Sequence, residues 1–488
     1  MSPAAIWRRC SGAVARHPDM LALALILTVA MVARGVLLYR APLFVRHDSI
    51  AYLQTGYELA RGHGFDLPQR RTPLYPAFLG AVIWSLGEDP RAIAFAQHAL
   101  GLLTIAATYL LARELFGRAA ALFAALLVAI SAPLLIYEHY ILAEPVFIPL
   151  LVSGCWLAVR SLGQRANRGL FVAGVLLALA ALARPIGQAA LFAVPVAVLA
   201  QQGSIRRSLR PWLAAAAGIA LVLVPWMARS LVVQGEASAG ALGQTLVGRI
   251  VRHDEGFVLP SPTSPSRHTD PTAIAVRQLI LTQMARDARP SAINHRVRSQ
   301  FGLTEREANA AMQDVAIEIF RSQPERYVEG TIAKFRRLIV GEDERLRFHW
   351  ATSKDGELRD DWLAEPSIAH LYAPPTALQE RGYPSAELVT RVFQPYLWRW
   401  VLGPVALVGL AFGLRRERRA ASLLLVGVSL ALVVPSAALV GYVPRYRYPT
   451  DPLIAVFVAG GAVSVLSLIG AAFRRAGRGR VAAVPAPS

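Results

Sequence analysis

The sequence predicts an all-α polytopic membrane protein with about 10 transmembrane helices, a first loop at the outer membrane surface and a large outer loop of mixed, mostly α structure. Three observations predict it. The 488-residue chain is 55% apolar and only 17% charged, with mean hydropathy +0.41, whereas an ordinary soluble domain is near 25% charged. Apolar stretches of about 20 residues, the length that spans the hydrocarbon core, recur along it. Arginine clusters alternate with those stretches, which is how multi-pass proteins are oriented.

Taken in order, spans are expected near 20–39, 91–112, 119–137, 141–159, 212–232, 397–414, 420–443 and 453–473. The apolar stretch 169–200 is broken by Ala183-Arg184-Pro185-Ile186-Gly187, which suits one kinked span or a hairpin of two. Its flanks decide between them. Arg160, Arg165 and Arg168 precede it and Arg206, Arg207 and Arg210 follow it, so the positive-inside rule puts both flanks in the cytoplasm and requires two spans. Leu74 to Gly87, about 14 residues, is short for a span and is laid on the membrane surface. A crossing there would invert every later loop.

Both termini then lie inside, with 19 arginines in cytoplasmic segments, and the formal charge of +19 reads as membrane orientation rather than nucleic-acid binding. The segment 233–395 carries 20 Lys+Arg against 21 Asp+Glu, the balanced surface of a water-soluble unit, and parity places it outside. The expected organisation is therefore 1–232 with the first seven spans and a first outer loop at 40–90 that holds candidate functional residues, an outer domain at 233–395, the last three spans in 396–480, and a disordered tail at 481–488. Inside the outer domain, Thr304 and Glu307 form a capping box ahead of a helix to Phe320 with Met312, Val315 and Ile319 on one face. A second helix, Pro324 to Val340, puts Val328, Ile332, Phe335 and Ile339 together, which fits a membrane surface or packing on the rest of the loop. Cys10 and Cys155 make no disulfide framework, and no cleavable signal is expected.

Acids near membrane depth are costly to keep and are therefore functional candidates. Asp48 follows the first span in Arg46-His47-Asp48-Ser49 and also suits a helix N-cap. Glu144 starts the fourth span, with Pro145 fitting a first helical turn. Glu138 and His139 read as interfacial, since a lone Glu/His pair is weak evidence for a metal. On the outer face stand Arg70, Arg71, Arg184, Arg229, Arg445 and Arg447. They break the positive-inside rule, and guanidinium groups suit a phosphate. His47, Tyr52, Tyr75 and Tyr446 accompany them.

The order of these motifs resembles the GT-C membrane glycosyltransferases, glycosyltransferase family 39-like, a group that includes protein O-mannosyltransferases and aminoarabinose transferases. The matching pieces are Asp48 after the first span, Arg71-Thr72-Pro73-Leu74-Tyr75-Pro76, Leu142-Ala143-Glu144-Pro145, Leu182-Ala183-Arg184-Pro185, Pro225-Trp226 with Arg229, and Arg445-Tyr446 before Pro449 and Pro452. The chain departs from members that carry Asp-Glu in the first loop, having Asp48-Ser49 instead. The resemblance implies a bacterial plasma-membrane enzyme whose site faces the periplasm or exterior. It implies a polyprenyl-phosphate sugar donor and a glycan, lipid or protein acceptor. Membrane lipids are partners and nucleic acid is not. No cofactor is assigned, with a divalent cation left open. Arginines would hold the phosphate leaving group, Asp48 would serve as general base with inversion, and Glu144 would orient substrate. The alternative is a transporter or flippase using Asp48, Glu144 and His98 as relay or ion sites.

Overall fold

The computed structural model describes residues 18–41, 43–64, 71–234, 241–253, 256–265, 269–286, 289–340, 356–372, 376–377, 401–441 and 443–481. Arg70, the start of the 397–414 span and the tail after Val481 lie outside the described residues. The protein is an all-α membrane protein, and among the described residues the sole β-type contact is an isolated bridge between Phe44 and Tyr140.

In chain order the first part runs α1 (Pro18–Arg40), α2 (His47–Ala60), α3 (Leu74–Leu86), α4 (Pro90–Phe116), α5 (Arg118–Ala129), α6 (Ala132–His139), α7 (Glu144–Gln164), α8 (Asn167–Ala183), α9 (Gly187–Gln202) and α10 (Ile205–Gln234). Six helices are long and apolar enough to cross a bilayer: α1, α4, α7, α10, Arg419–Val440 and Tyr448–Arg475. The pair α5 and α6, bent by 51°, makes a seventh if taken as one span. The remaining expected spans fall on shorter apolar helices, namely α8, α9 and Gly403–Gly413. Large apolar side chains such as Leu25, Val32, Leu221 and Val232 are more than half exposed on the long helices, the outward face that lipid covers.

The break in 169–200 is where the sequence puts it. Arg184 ends α8 in an extended conformation, and Gln201 at the far end of α9 returns to within 3.5 Å of the Leu162 carbonyl, beside the start of α8. The two helices therefore run there and back. Against α8, α10 crosses closely, since a Cβ on Gly174 would strike the Ala215 carbonyl and one on Gly218 the Phe171 carbonyl. Small residues permit such backbone approach between helices that lipid does not push together. Helix α3 is 13 residues long and packs on α2, with Trp84 79% exposed.

The two ends of the bundle are sorted by polar pairs. At one end Asp19 accepts from Tyr109 and lies 3.6 Å from Arg118, and Arg160 lies 3.8 Å from Glu114. At the other end lie the loops after α1, before α3, before α7, after α8 and around 441–451. There Phe44 N–H donates to His139 O and Ile141 N–H to Phe44 O, tying the segment before α2 to the segment before α7.

A separate helical unit follows: α11 (Leu242–Gly248) with a π-helical turn Arg249–His253, then α12 (Pro271–Ala285), α13 (Pro290–Phe301), α14 (Glu305–Ser322) and α15 (Pro324–Val340). Its own core gathers Val247, Ile280, Ile293, Val297, Met312 and Ile319. The capping box forms as expected, with Thr304 Oγ1 accepting from Glu307 N–H and Glu307 Oε2 from Thr304 N–H. On α15 the apolar residues divide. Phe335 and Leu338 pack on Val433 and Ala437, while Val328, Ile332 and Ile339 stay exposed. Helices α16 (Gly356–Leu363), α17 (Gly403–Gly413), α18 (Arg419–Pro435) and α19 (Asp451–Val481) complete the described chain. Arg249, fully buried, joins the unit to the end of α18 by donating to the Ala438 carbonyl, the Tyr327 carbonyl at 3.2 Å and Thr331 Oγ1 at 2.9 Å.

Candidate functional site

Asp48 lies in the first turn of α2, and the cap reading of this residue fails. The residue before the helix is Arg46, whose N–H donates to Ser49 Oγ, and the Asp48 side chain points elsewhere. Its two oxygens meet different arginines: Oδ1 accepts from Arg71 Nη2 at 2.7 Å and Oδ2 from Arg445 Nη2 at 2.9 Å. Burial opposes ionisation of this carboxyl, yet the two guanidinium charges and their hydrogen bonds outweigh it and hold Asp48 well below the usual carboxylate range. By the same pairing Arg71 and Arg445 are held cationic more firmly than free arginine, although burial pulls the other way.

Local folding explains why these residues meet. Thr72 Oγ1 donates to the Ala183 carbonyl at 3.0 Å, satisfying an end-of-helix acceptor of α8 and bringing the Arg71 segment beside Arg184. Arg184 lies 2.6 Å from Glu144, a buried pair at 9% and 2% side-chain exposure. Arg184 also lies over the Tyr446 ring at 4.9 Å, and the charge of Glu144 reaches Arg445. Arg71 covers the Tyr52 ring at 4.4 Å. Asp48, Arg71, Arg445, Tyr446, Arg184 and Glu144 thus form one continuous cluster, drawn from five chain segments. Within it Arg71 Nε and Arg445 Nε are buried donors to which the structure gives no hydrogen-bond partner, and both belong to the two arginines that hold Asp48.

The other expected residues go elsewhere. Arg229 lies over Trp226 of its own helix at 5.0 Å. Arg447 pairs with Asp451 at 3.3 Å. His47 is exposed and meets Asp361 Oδ2 at 3.1 Å through Nδ1. Tyr75 is buried, with its hydroxyl donating to Gln97 Oε1 at 2.7 Å.

Glu138 and His139 are buried within the protein. Arg34 Nε and Nη2 donate in parallel to the two Glu138 oxygens, each at 2.7 Å. His98 Nδ1 meets Glu138 Oε2 at 3.0 Å and His98 Nε2 meets His139 Nδ1 at 3.1 Å. Since the carboxylate accepts, His98 Nδ1 carries a proton toward Glu138. Gln97 adds hydrogen bonds to the Glu138 and Tyr140 carbonyls. Gly101 makes room, because a Cβ there would collide with the Glu138 carboxylate. Sequence reasoning missed Arg34, although an arginine inside an apolar span is itself a signal of a buried partner.

Asp48, Glu144 and Glu138 are each committed to arginine, and among the described residues no three His, Cys, Asp or Glu side chains converge on one point. A cavity of about 510 Å³ opens from Asp48, Arg445 and Tyr446 toward the helical unit, whose Arg252 and Arg289 line the opposite wall. Neither arginine was singled out from sequence, where they sit in a segment of balanced charge.

Fold and site together define a multi-pass helical membrane protein with arginine-bound carboxylates gathered at one end of its bundle. Residues 70–228, about a third of the chain, match the family described as dolichyl-phosphate-mannose-protein mannosyltransferase, which bears out the resemblance to GT-C membrane glycosyltransferases. The matched stretch contains Arg71, Glu138, Glu144 and Arg184; Asp48 and Arg445 lie outside it. No curated protein matches the chain. Among solved structures it is similar to the archaeal oligosaccharyltransferase AglB from Archaeoglobus fulgidus in complex with an inhibitory peptide and a dolichol-phosphate, at TM-score 0.49 and 14% identity, over 97% of this chain and 53% of that one. It is also similar to ArnT from Cupriavidus metallidurans bound to undecaprenyl phosphate, at TM-score 0.40 and 15% identity, over 90% and 77%. The chain thus spans about half the length of the oligosaccharyltransferase.

Proposed function

We propose that the protein is a glycosyltransferase of a bacterial plasma membrane that moves a sugar from a polyprenyl-phosphate carrier to an envelope acceptor at the outer face, with ten crossings and both termini inside. The observation that carries this reading is the pair of arginines on Asp48, each keeping a buried unpartnered Nε. The family description, an enzyme of a dolichyl-phosphate sugar, supports the same donor chemistry.

In the reaction the acceptor oxygen attacks the anomeric carbon, the bond from that carbon to the phosphate oxygen breaks, and the phosphate keeps the electron pair. Arg71, Arg445 and Arg184 stabilise the charge that develops there. The acceptor proton goes to Asp48, and a single displacement inverts the anomeric centre. A carboxylate tied to two arginines is a poor proton acceptor, because a good base has a pKa near the working pH. Donor binding removes that obstacle. A phosphate competing for Arg71 and Arg445 draws their fork away from Asp48, frees one of its oxygens for the acceptor hydroxyl and raises its proton affinity. The acid is thereby kept inactive until the donor is present. Glu144, buried against Arg184, orients that arginine toward the phosphate.

The test is binding of undecaprenyl phosphate by purified protein, wild type against Arg71→Ala and Arg445→Ala. Both variants should bind more weakly, and Lys at either position should recover part of the loss, having charge without the planar fork. Unchanged binding in both Ala variants contradicts the assignment. Vesicles in which the wild type moves lipid-linked sugar across the bilayer without transferring it would favour a flippase.

A further inference from the structure

Arg71 is held by two residues of α2. Its Nη2 donates to Asp48 Oδ1 at 2.7 Å, and its Cζ lies 4.4 Å from the centre of the Tyr52 ring. Asp48 and Tyr52 stand four positions apart, so they share a face of the helix and the guanidinium bridges them. Arg71 and Tyr52 are both buried. The other arginine on Asp48 uses a different ring, since Arg445 lies 5.6 Å from the centre of Tyr446.

The Tyr52 ring is itself fixed. It meets the fully buried Tyr75 ring edge to face, with 4.9 Å between centroids and 90° between planes. Tyr75 stacks on Phe78 at 6.1 Å, and its hydroxyl donates to Gln97 Oε1 at 2.7 Å. Gln97, fully buried in α4, donates through Nε2 to the Glu138 carbonyl at 2.9 Å and to the Tyr140 carbonyl at 2.8 Å. A buried polar network whose members are satisfied is rigid. Arg71 thus rests on a stack rooted in α2, α3 and α4.

We propose that Tyr52 is a positioning residue for the donor phosphate, acting through Arg71. The inference rests on the glycosyltransferase reading, in which Arg71 exchanges Asp48 for the phosphate of the carrier. An arginine held by Asp48 alone would regain its side-chain freedom at that exchange, and ordering it again would weaken donor binding. Tyr52 prevents this. Its ring attracts the cation through the π-face, whereas phosphate competes for the N–H groups, so the two contacts do not exclude each other. The guanidinium therefore stays in place while its hydrogen bonds change partner.

The experiment measures undecaprenyl phosphate binding by the purified full chain in nanodiscs, in the wild type and in Tyr52→Leu and Tyr52→Phe, each placed also on Arg71→Ala and Arg445→Ala backgrounds. Tyr52→Leu should weaken binding by about 2- to 30-fold, the range of a cation–π contact, while Tyr52→Phe, which keeps the ring, should stay close to the wild type. The loss should vanish on Arg71→Ala and persist on Arg445→Ala. A merely structural tyrosine would weaken binding alike on both backgrounds. Singly and triply fluorinated phenylalanine at position 52 serve where Tyr52→Leu folds poorly, because they keep the shape of Tyr52→Phe and reduce the negative charge of the ring face; affinity should fall with each step of fluorination. Three outcomes overturn the proposal: unchanged or tighter binding by Tyr52→Leu, an equal loss on both arginine backgrounds, or no response to fluorination. Melting temperatures without lipid read the contact by itself, and the shifts of Tyr52→Leu and Arg71→Ala should not add. Additive shifts contradict the pairing. Failure of the wild type to bind undecaprenyl phosphate contradicts the donor reading instead, so the two failures are told apart.

Discussion

Asp48 and Glu138 are both carboxylates gripped by arginine at the same end of the bundle, yet their surroundings differ in every respect that matters for chemistry. Glu138 is sealed, with 7% of its side chain exposed and Arg34 at 3%, and the two meet through a parallel pair of hydrogen bonds. His98, His139 and Gln97 close the network around them. Asp48 is 29% exposed at the edge of a cavity, and its oxygens go to two arginines 23 and 397 positions away, each with a donor left over. A closed network ties α1, α4 and α6 together and has no capacity for a ligand. An open one with spare donors can exchange partners. The same pairing of residue types thus serves architecture in one place and substrate in the other, and exposure separates them.

The comparison is broken most forcefully at the sealed cluster. Glu138→Ala leaves Arg34 charged and unpaired inside the bundle, which costs about 3–5 kcal/mol and should appear as a large fall in melting temperature in detergent. Arg34→Met together with Glu138→Leu should recover most of it, because a buried pair replaced whole is often neutral. If Glu138→Ala melts as the wild type does, the cluster is not structural. Next comes the donor contact. Arg445→Ala should weaken undecaprenyl phosphate by the roughly 1.5–3 kcal/mol of a hydrogen bond to a charged group, on the order of 10- to 150-fold. Asp48→Asn should act in the opposite direction, binding the same lipid at least as tightly because the phosphate no longer competes with a carboxylate. Weaker binding there would mean that Asp48 organises the arginines instead of holding them in reserve.

A smaller effect is expected from Gly101→Ala, which pushes a methyl group into the Glu138 carboxylate and should cost about 1–3 kcal/mol of stability. Acid should do least. The folded-state pKa of Asp48 is depressed, so its pairing contributes stability above the ordinary Asp value of about 3.9 and loses it only as pH falls through the lower folded value. Between about pH 5 and 8 this group should leave the melting temperature flat, and a transition in that window abolished by Asp48→Asn would contradict the pairing.

Much of this was legible in the residues themselves. Runs of apolar residues placed the long helices, and Ala183-Arg184-Pro185 marked the break between α8 and α9 once the basic flanks on both sides required two spans. Thr304 and Glu307 announced α14 through a local hydrogen-bond pattern. The grouping of Asp48, Arg71, Arg184, Glu144 and Arg445 followed from shared sidedness, but their pairing did not. Which guanidinium meets which carboxylate depends on how the helix ends converge, and no local pattern encodes it. For that reason Arg229 and Arg447, alike in sequence to the cluster members, turn out to have local partners. Arg34 and Glu138, 104 positions apart, read separately as a span residue and an interfacial one. Arg252 and Arg289 were hidden by the balanced charge of their segment, and only the folded chain shows that they line the cavity beside Asp48.

The most direct test of the central claim, that the open carboxylate takes the acceptor proton, is the rate of sugar transfer from a saturating polyprenyl-phosphate donor by wild type, Asp48→Asn and Glu144→Gln, each checked for equal folding and donor binding. The account predicts that Asp48→Asn binds donor yet turns over at least about 100-fold more slowly, with Glu144→Gln retaining measurable activity. An Asp48→Asn enzyme that transfers sugar at close to the wild-type rate would contradict it.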